Sequence, residues 1–209
     1  MVDKEVDKDR GYKNNYGIGI ISILDKIVDE NTSTFQAWKE KILAHYDRLS
    51  SKIVGQEEAV QRLLIGISRS LEDMPNRAPI LVTGPTGCGK TYTIGLVAEE
   101  LGVPFGKLAL PSITPAGYKG DNIKDAFRGA IKSARVNAGG EDRTVLLVDE
   151  FDKVVRSGNY IPESGGAGGS FGTERQNELL ALLEPDATLS PGEPLNAVIV
   201  LSGAFSFTD

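Results

Sequence analysis

The sequence predicts an α/β fold with three α/β/α layers around a mostly parallel central sheet, preceded by an N-terminal helical extension. Three observations carry this. "TVLLVD" (residues 144–149) is an uninterrupted apolar run, the pattern of a strand covered on both faces. "PILVTG" (79–84) and "AVIVLS" (197–202) read as two more short buried strands, and "PFGKLAL" as another strand. Segments of helical periodicity lie between them, and strands alternating with helices imply a parallel sheet wrapped by helices.

The elements follow in order. Residues 1–16 are charged and lack apolar periodicity, which predicts a mobile tail. Residues 17–50 form the helical extension: Ile20, Leu24, Ile27 and Val28 suggest a short helix. Phe35, Trp38, Ile42, Tyr46 and Leu49 mark a second helix, with Thr34 as its cap. From residue 51 to 209 the β and α signals alternate. Val60, Leu63, Leu64, Ile67 and Leu71 make one helical stripe. Ile94, Val97, Ala98 and Leu101 make another, stopped by Gly102 with Pro104 beyond. Ile123, Phe127, Ala130, Ile131 and Ala134 make a third. Thr173 and Gln176 resemble a capping box that opens a helix running to Leu183. The glycine-rich stretch 158–172 is expected to be a disordered connection.

Composition narrows the function. Hydrophobic residues make up 40% and charged residues 25%, ordinary values for a globular protein. The net charge is −6 and no long basic run offsets it, which argues against a general nucleic-acid partner. Cys88 is the one cysteine, so no intrachain disulfide forms, which suits a reducing compartment. The apolar run "GIGIISIL" (17–24) is too short to cross a bilayer, and Asp3, Glu5 and Asp7 precede it, unlike a signal peptide. A cytoplasmic protein with no membrane partner is expected.

The sharpest motif is "GPTGCGKT", Gly84, Pro85, Thr86, Gly87, Cys88, Gly89, Lys90 and Thr91, followed by Tyr92. A strand leads into it and a helix leads out, the context that turns G-x-x-x-x-G-K-[ST] into a phosphate site. Glycines let the backbone curl so that successive N–H groups face an anion. The helix opening near Lys90 adds its positive end. Lys90 is expected to reach the β- and γ-phosphates, and the Thr91 hydroxyl to ligate Mg²⁺. Cys88 inside the loop is read as a small filler residue.

The strand "TVLLVD" ends in "DEFDK". Ligands of open parallel sheets sit outside the carboxyl ends of the strands, so this acidic end is expected beside the phosphate loop. Asp149 then holds the Mg²⁺ shell, and Glu150 orients and polarises an attacking water. Asp152 and Lys153 are expected to pair locally, in a structural role. Ser202, ending another strand, offers a hydroxyl to the water or the γ-phosphate.

Together these motifs resemble the AAA+ ATPases, a P-loop NTPase family, and within them the Clp/HslU branch of ClpX-like unfoldases. The resemblance covers roughly residues 50–205 and rests on "IVGQEEAV", "GPTGCGKT", "AGYKGD", "LLVDEFDKV", "RQNELLALLE" and "LSGAF". It implies that Ile53 and Val54 pack on adenine and that Ser202 senses the γ-phosphate. It implies ATP or ADP with Mg²⁺ as cofactors, a ring-forming homo-hexamer in the intact protein, and a peptidase or adaptor as a partner. It also implies that Tyr118, between Gly117 and Gly120, projects into a central channel and grips a polypeptide substrate. Lys119 stands where an apolar residue is common, which suggests a preference for acidic segments.

The sequence also departs from that branch. "PDATLSPGEPLN" (185–196) is shorter and more acidic than the usual second pore loop, and a single cysteine excludes a zinc-binding N-terminal domain among these residues. The arginine finger and helical lid of the family are expected beyond Asp209, so this chain is expected to bind nucleotide better than it turns it over. Two alternatives stay open: an AAA+ ATPase acting on nucleic acid or on complex assembly, and a nucleotide-sensing module that does not hydrolyse.

Overall fold

A computed structural model describes residues 33–72, 78–110, 123–137, 143–153 and 177–205. The N-terminal tail, the short helix near Ile20, the capping box at Thr173 and Gln176, the glycine-rich stretch 158–172, and Tyr118 and Lys119 lie outside the described residues. The chain divides into two compact units, Met1–Leu64 and Ile65–Asp209.

The first unit contains α1 (Ser33–Ser50) and the opening of α2 (Glu57–Glu72). Phe35, Trp38, Ile42, Tyr46 and Leu49 recur every three or four residues, so they share one face of α1, and all are buried. The Phe35 and Trp38 rings stack with centroids 6.0 Å apart. After α1 the N–H groups of Lys52 and Ile53 both donate to the Leu49 carbonyl, at 2.9 and 3.0 Å. That closes the helix, as orphan C-terminal carbonyls require.

The second unit is built on a four-stranded sheet. Its strands are β1 (Ile80–Thr83), β2 (Phe105–Ala109), β3 (Thr144–Asp149) and β6 (Ala197–Gly203), in the order β1-β6-β3-β2, and every neighbouring pair is parallel. α3 (Lys90–Glu100) covers one face with Ile94, Val97 and Ala98, all buried. α4 (Ile123–Asn137) covers the other with Ile123, Phe127, Ile131 and Ala134. Phe127 packs in a cluster with Leu146, Val148, Ile199 and Leu201 of the sheet and with Leu179 and Leu182 of the helical residues 177–183. This is the α/β/α sandwich expected from the sequence. A Cβ on Gly106 would sit 3.2 Å from the Ala130 carbonyl oxygen, so α4 lies so close to β2 that a larger residue forces it away.

Two findings differ from expectation. β1 is not buried: it is an outer strand of the described sheet and Leu81 is 55% exposed. An apolar run of four gives no information about its rank in a sheet, so a marginal strand and a central one read alike. The segment 185–196 contains a small antiparallel hairpin, β4 (Thr188–Ser190) with β5 (Glu193–Pro194). The Arg128 guanidinium of α4 donates to both Glu193 carboxylate oxygens (3.0–3.2 Å) and to the Leu189 carbonyl (3.3 Å), and also pairs with Asp125. The acidic character of this segment therefore serves an internal bond to a helix. This forked, bidentate geometry is the one guanidinium favours.

Candidate functional site

The phosphate loop begins where β1 ends. Its backbone curls because Gly87 (φ 82°) and Gly89 (φ 87°) take the left-handed conformation, which costs a residue with a Cβ about 1–2 kcal/mol. Gly89 is the N-cap of α3 and Lys90 its first residue, so the helix N-terminus opens on the loop. The Lys90 ammonium donates to the carbonyls of Gly84 (2.7 Å) and Pro85 (2.8 Å). Cys88 approaches within 3.9 Å of the same ammonium. Its sulfur lies 3.1 Å from where a Gly84 Cβ would be, so it fills the underside of the loop as expected of a small residue. The Gly84 N–H donates to the Gly203 carbonyl at 3.3 Å, which ties the loop to the end of β6.

Across the cleft stands the end of β3. Asp149 is its last residue, and each carboxylate oxygen accepts two bonds. Ser202 donates to Oδ1 at 2.6 Å and the Glu150 N–H to the same oxygen at 3.0 Å. Thr91 donates to Oδ2 at 3.4 Å, and Lys107 of β2 reaches it at 2.8 Å. Burial alone pushes this carboxyl up. The hydrogen bonds from Lys107, Ser202 and the Glu150 N–H, together with the Lys107 charge, outweigh it and hold the group at about 2, below its ordinary 3.8. Because the folded value is depressed, the stabilisation is full above pH 3.8 and is lost as pH falls towards 2. The urea midpoint is therefore expected to drop between pH 4 and pH 2. Asp149→Asn should flatten part of that drop; an unchanged acid limb would contradict the assignment.

Thr86, Gly87, Gly89, Lys90, Thr91 and Tyr92 on one side and Asp149, Glu150, Asp152 and Lys153 on the other line a cleft of about 520 Å³. The structure thus brings together the phosphate loop and the acidic strand end. Thr91 and Asp149 converge from two elements to offer a hydroxyl and a carboxylate oxygen, the donors a hard divalent cation takes. These residues fit Mg²⁺ bound with a triphosphate. Glu150 takes φ 59°, the left-handed region, and its carboxylate pairs with Lys153. The local pairing expected of Lys153 is made three residues back, to Glu150. Asp152 is instead buried, with Oδ1 only 2.7 Å from where a Gly203 Cβ would be. The helical turn at 151–153 explains this, since i and i+3 share a face and adjacent residues do not.

Ser202 is fully buried and donates a hydrogen bond to Asp149. Ile53 and Val54 belong to the first unit, Ile53 buried and Val54 85% exposed. Lys107 was missed in the sequence. Its only signal is a lone cation in a short apolar strand, and its partner depends on strand register.

This loop, sheet order and acidic strand end define a P-loop nucleotide-binding fold. The sequence matches the family described as "ATPase family associated with various cellular activities (AAA)" over residues 80–204, more than half of the chain. The chain belongs to the AAA family of ATPases. Among curated proteins it resembles the ATP-dependent Clp protease ATP-binding subunit ClpX of several bacteria. It is 27% identical to that of Borrelia duttonii over 58% of this chain and 30% of the relative. It is 26% identical to that of Porphyromonas gingivalis over 75% and 43%, and 25% identical to that of Bacteroides thetaiotaomicron over 90% and 44%. The chain therefore spans less than half the length of these relatives. No helix among the described residues is long and apolar enough to cross a membrane.

Proposed function

We propose that the chain is the ATP-binding module of a Clp-like protein unfoldase or remodelling ATPase, acting in the cytoplasm. The observation that carries this is the convergence of Lys90 and Thr91 with Asp149 and Glu150 in one cleft. Bound Mg²⁺ would be held by Thr91 and by Asp149 and would neutralise phosphate charge. The loop amides and the α3 N-terminus cradle the phosphates. Lys90 exchanges its two loop carbonyls for β- and γ-phosphate oxygens. Glu150 exchanges Lys153 for the attacking water, orients it and accepts its proton. Ser202 acts on the γ-phosphate through Asp149.

Tyr118 and Lys119 supply the contact to a polypeptide in a homo-hexameric ring, with a peptidase or adaptor as a further partner. The relatives' description as subunits of a Clp protease supports this reading. The domain reading, with the nucleotide module over 51–209 behind an extension at 17–50, belongs to the same proposal.

A second reading, a nucleotide-sensing module with little turnover, is favoured by one contact: Lys153 neutralises the carboxylate that would act as base. Turnover of magnesium-ATP, measured alone, with unfolded protein and with DNA, separates these. Stimulation several-fold by unfolded protein is expected. Stimulation by DNA alone would favour the nucleic-acid branch, and tight binding with no turnover under any condition would favour the sensor.

A further inference from the structure

The metal-holding carboxylate already carries a cation. Lys107 Nζ lies 2.8 Å from Asp149 Oδ2. The strand register explains how it arrives. Ala109 of β2 pairs with Asp149 of β3, and Lys107 is two residues earlier, on the same face of the sheet. A Cβ on Gly95 of α3 would sit 3.4 Å from the ring of Phe105, next on that face, so the face is the one that carries the phosphate loop's helix.

A carboxylate offers about four acceptor positions. In Asp149 all four are taken, so a metal ion or its water shell can gain Oδ2 or Oδ1 only by displacing a donor. The donors on Oδ1 are fixed: the Ser202 side chain is fully buried, and the Glu150 N–H belongs to the adjacent peptide. On Oδ2, Thr91 is itself an oxygen donor for a cation and makes a long contact. Lys107 alone among these four is half exposed, 47%, on a flexible four-carbon stem. It can leave, and as a like charge it must leave or weaken the metal.

We infer that Lys107 is a positioning residue that competes with the divalent cation for Asp149. It orients the carboxylate when no metal is held, and it lowers the dependence of nucleotide binding on magnesium. The inference rests on the nucleotide reading above.

The test is the ratio of nucleotide affinity in saturating Mg²⁺ to that in EDTA, read with a fluorescent ADP analogue on the full chain. Removing one unit charge beside the metal in a solvent-accessible cleft should raise this ratio about three- to tenfold in Lys107→Met. Lys107→Arg, which keeps the charge, should stay near the unaltered protein. Lys107→Gln serves if the methionine variant does not fold. In the unaltered protein, the reactivity of Lys107 towards an amine-acylating reagent, read by mass spectrometry, should rise when magnesium and ADP are added together.

An unchanged or lowered ratio in folded Lys107→Met or Lys107→Gln overturns the inference, and so does a Lys107 reactivity that magnesium and nucleotide leave constant. If no form binds nucleotide with or without Mg²⁺, the nucleotide reading itself falls and takes this one with it. Binding that is alike in all forms sinks the role of Lys107 only.

Discussion

Lys90→Ala is expected to lower affinity for magnesium-ATP about 100-fold. The ammonium is held at the heart of the loop by two short bonds, to Gly84 and Pro85. Against phosphate those become charge-assisted bonds, each contributing about 1.5–3 kcal/mol. Losing one to two of them amounts to about 3 kcal/mol, or two decades in the dissociation constant. The fold should survive, because Lys90 opens α3 and the buried residues of that helix, Thr93, Ile94, Val97 and Ala98, are untouched. Equilibrium titration beside circular dichroism checks both halves. An affinity within threefold of the unaltered protein would show that the loop does not hold a triphosphate.

The second large effect lies at Glu150. Glu150→Gln keeps shape and hydrogen-bonding capacity but removes the proposed base, so turnover should fall at least about 100-fold while binding persists. Glu150→Gly should be equally inactive yet more stable, by about 0.5–1 kcal/mol. The reason is backbone strain: a residue with a Cβ at φ 59° sits in a region that glycine occupies freely. The loss of the exposed Lys153 pair offsets little of that gain. Chemical denaturation measures the stability, and a glycine variant that is clearly less stable would remove the strain argument.

Much of this was legible before any coordinates. Glycine at 87 and 89, a lysine and a threonine in fixed spacing, and an apolar strand ending in Asp149 and Glu150 each state a local requirement, and the cleft gathers them. The helices from Ser33, Glu57, Lys90 and Ile123 began and ended close to where apolar spacing put them. What could not be read was non-local. The outer rank of β1 depends on strand order, which four apolar residues do not encode. The Lys107 contact depends on register between β2 and β3. The partner of Lys153, Glu150, depends on the turn of helix that decides which neighbours share a face. The hairpin at β4 and β5 was hidden because a three-residue strand has no period to detect, and the Glu193 bond to Arg128 joins residues 65 apart in the chain.

Two consecutive residues close β6: Ser202 holds the carboxylate of Asp149, and Gly203 holds the first amide of the phosphate loop. The two banks of the cleft are therefore bolted to one short piece of backbone. A disturbance felt at one wall therefore has a short route to the opposite wall, through one peptide unit and the Ser202 hydroxyl.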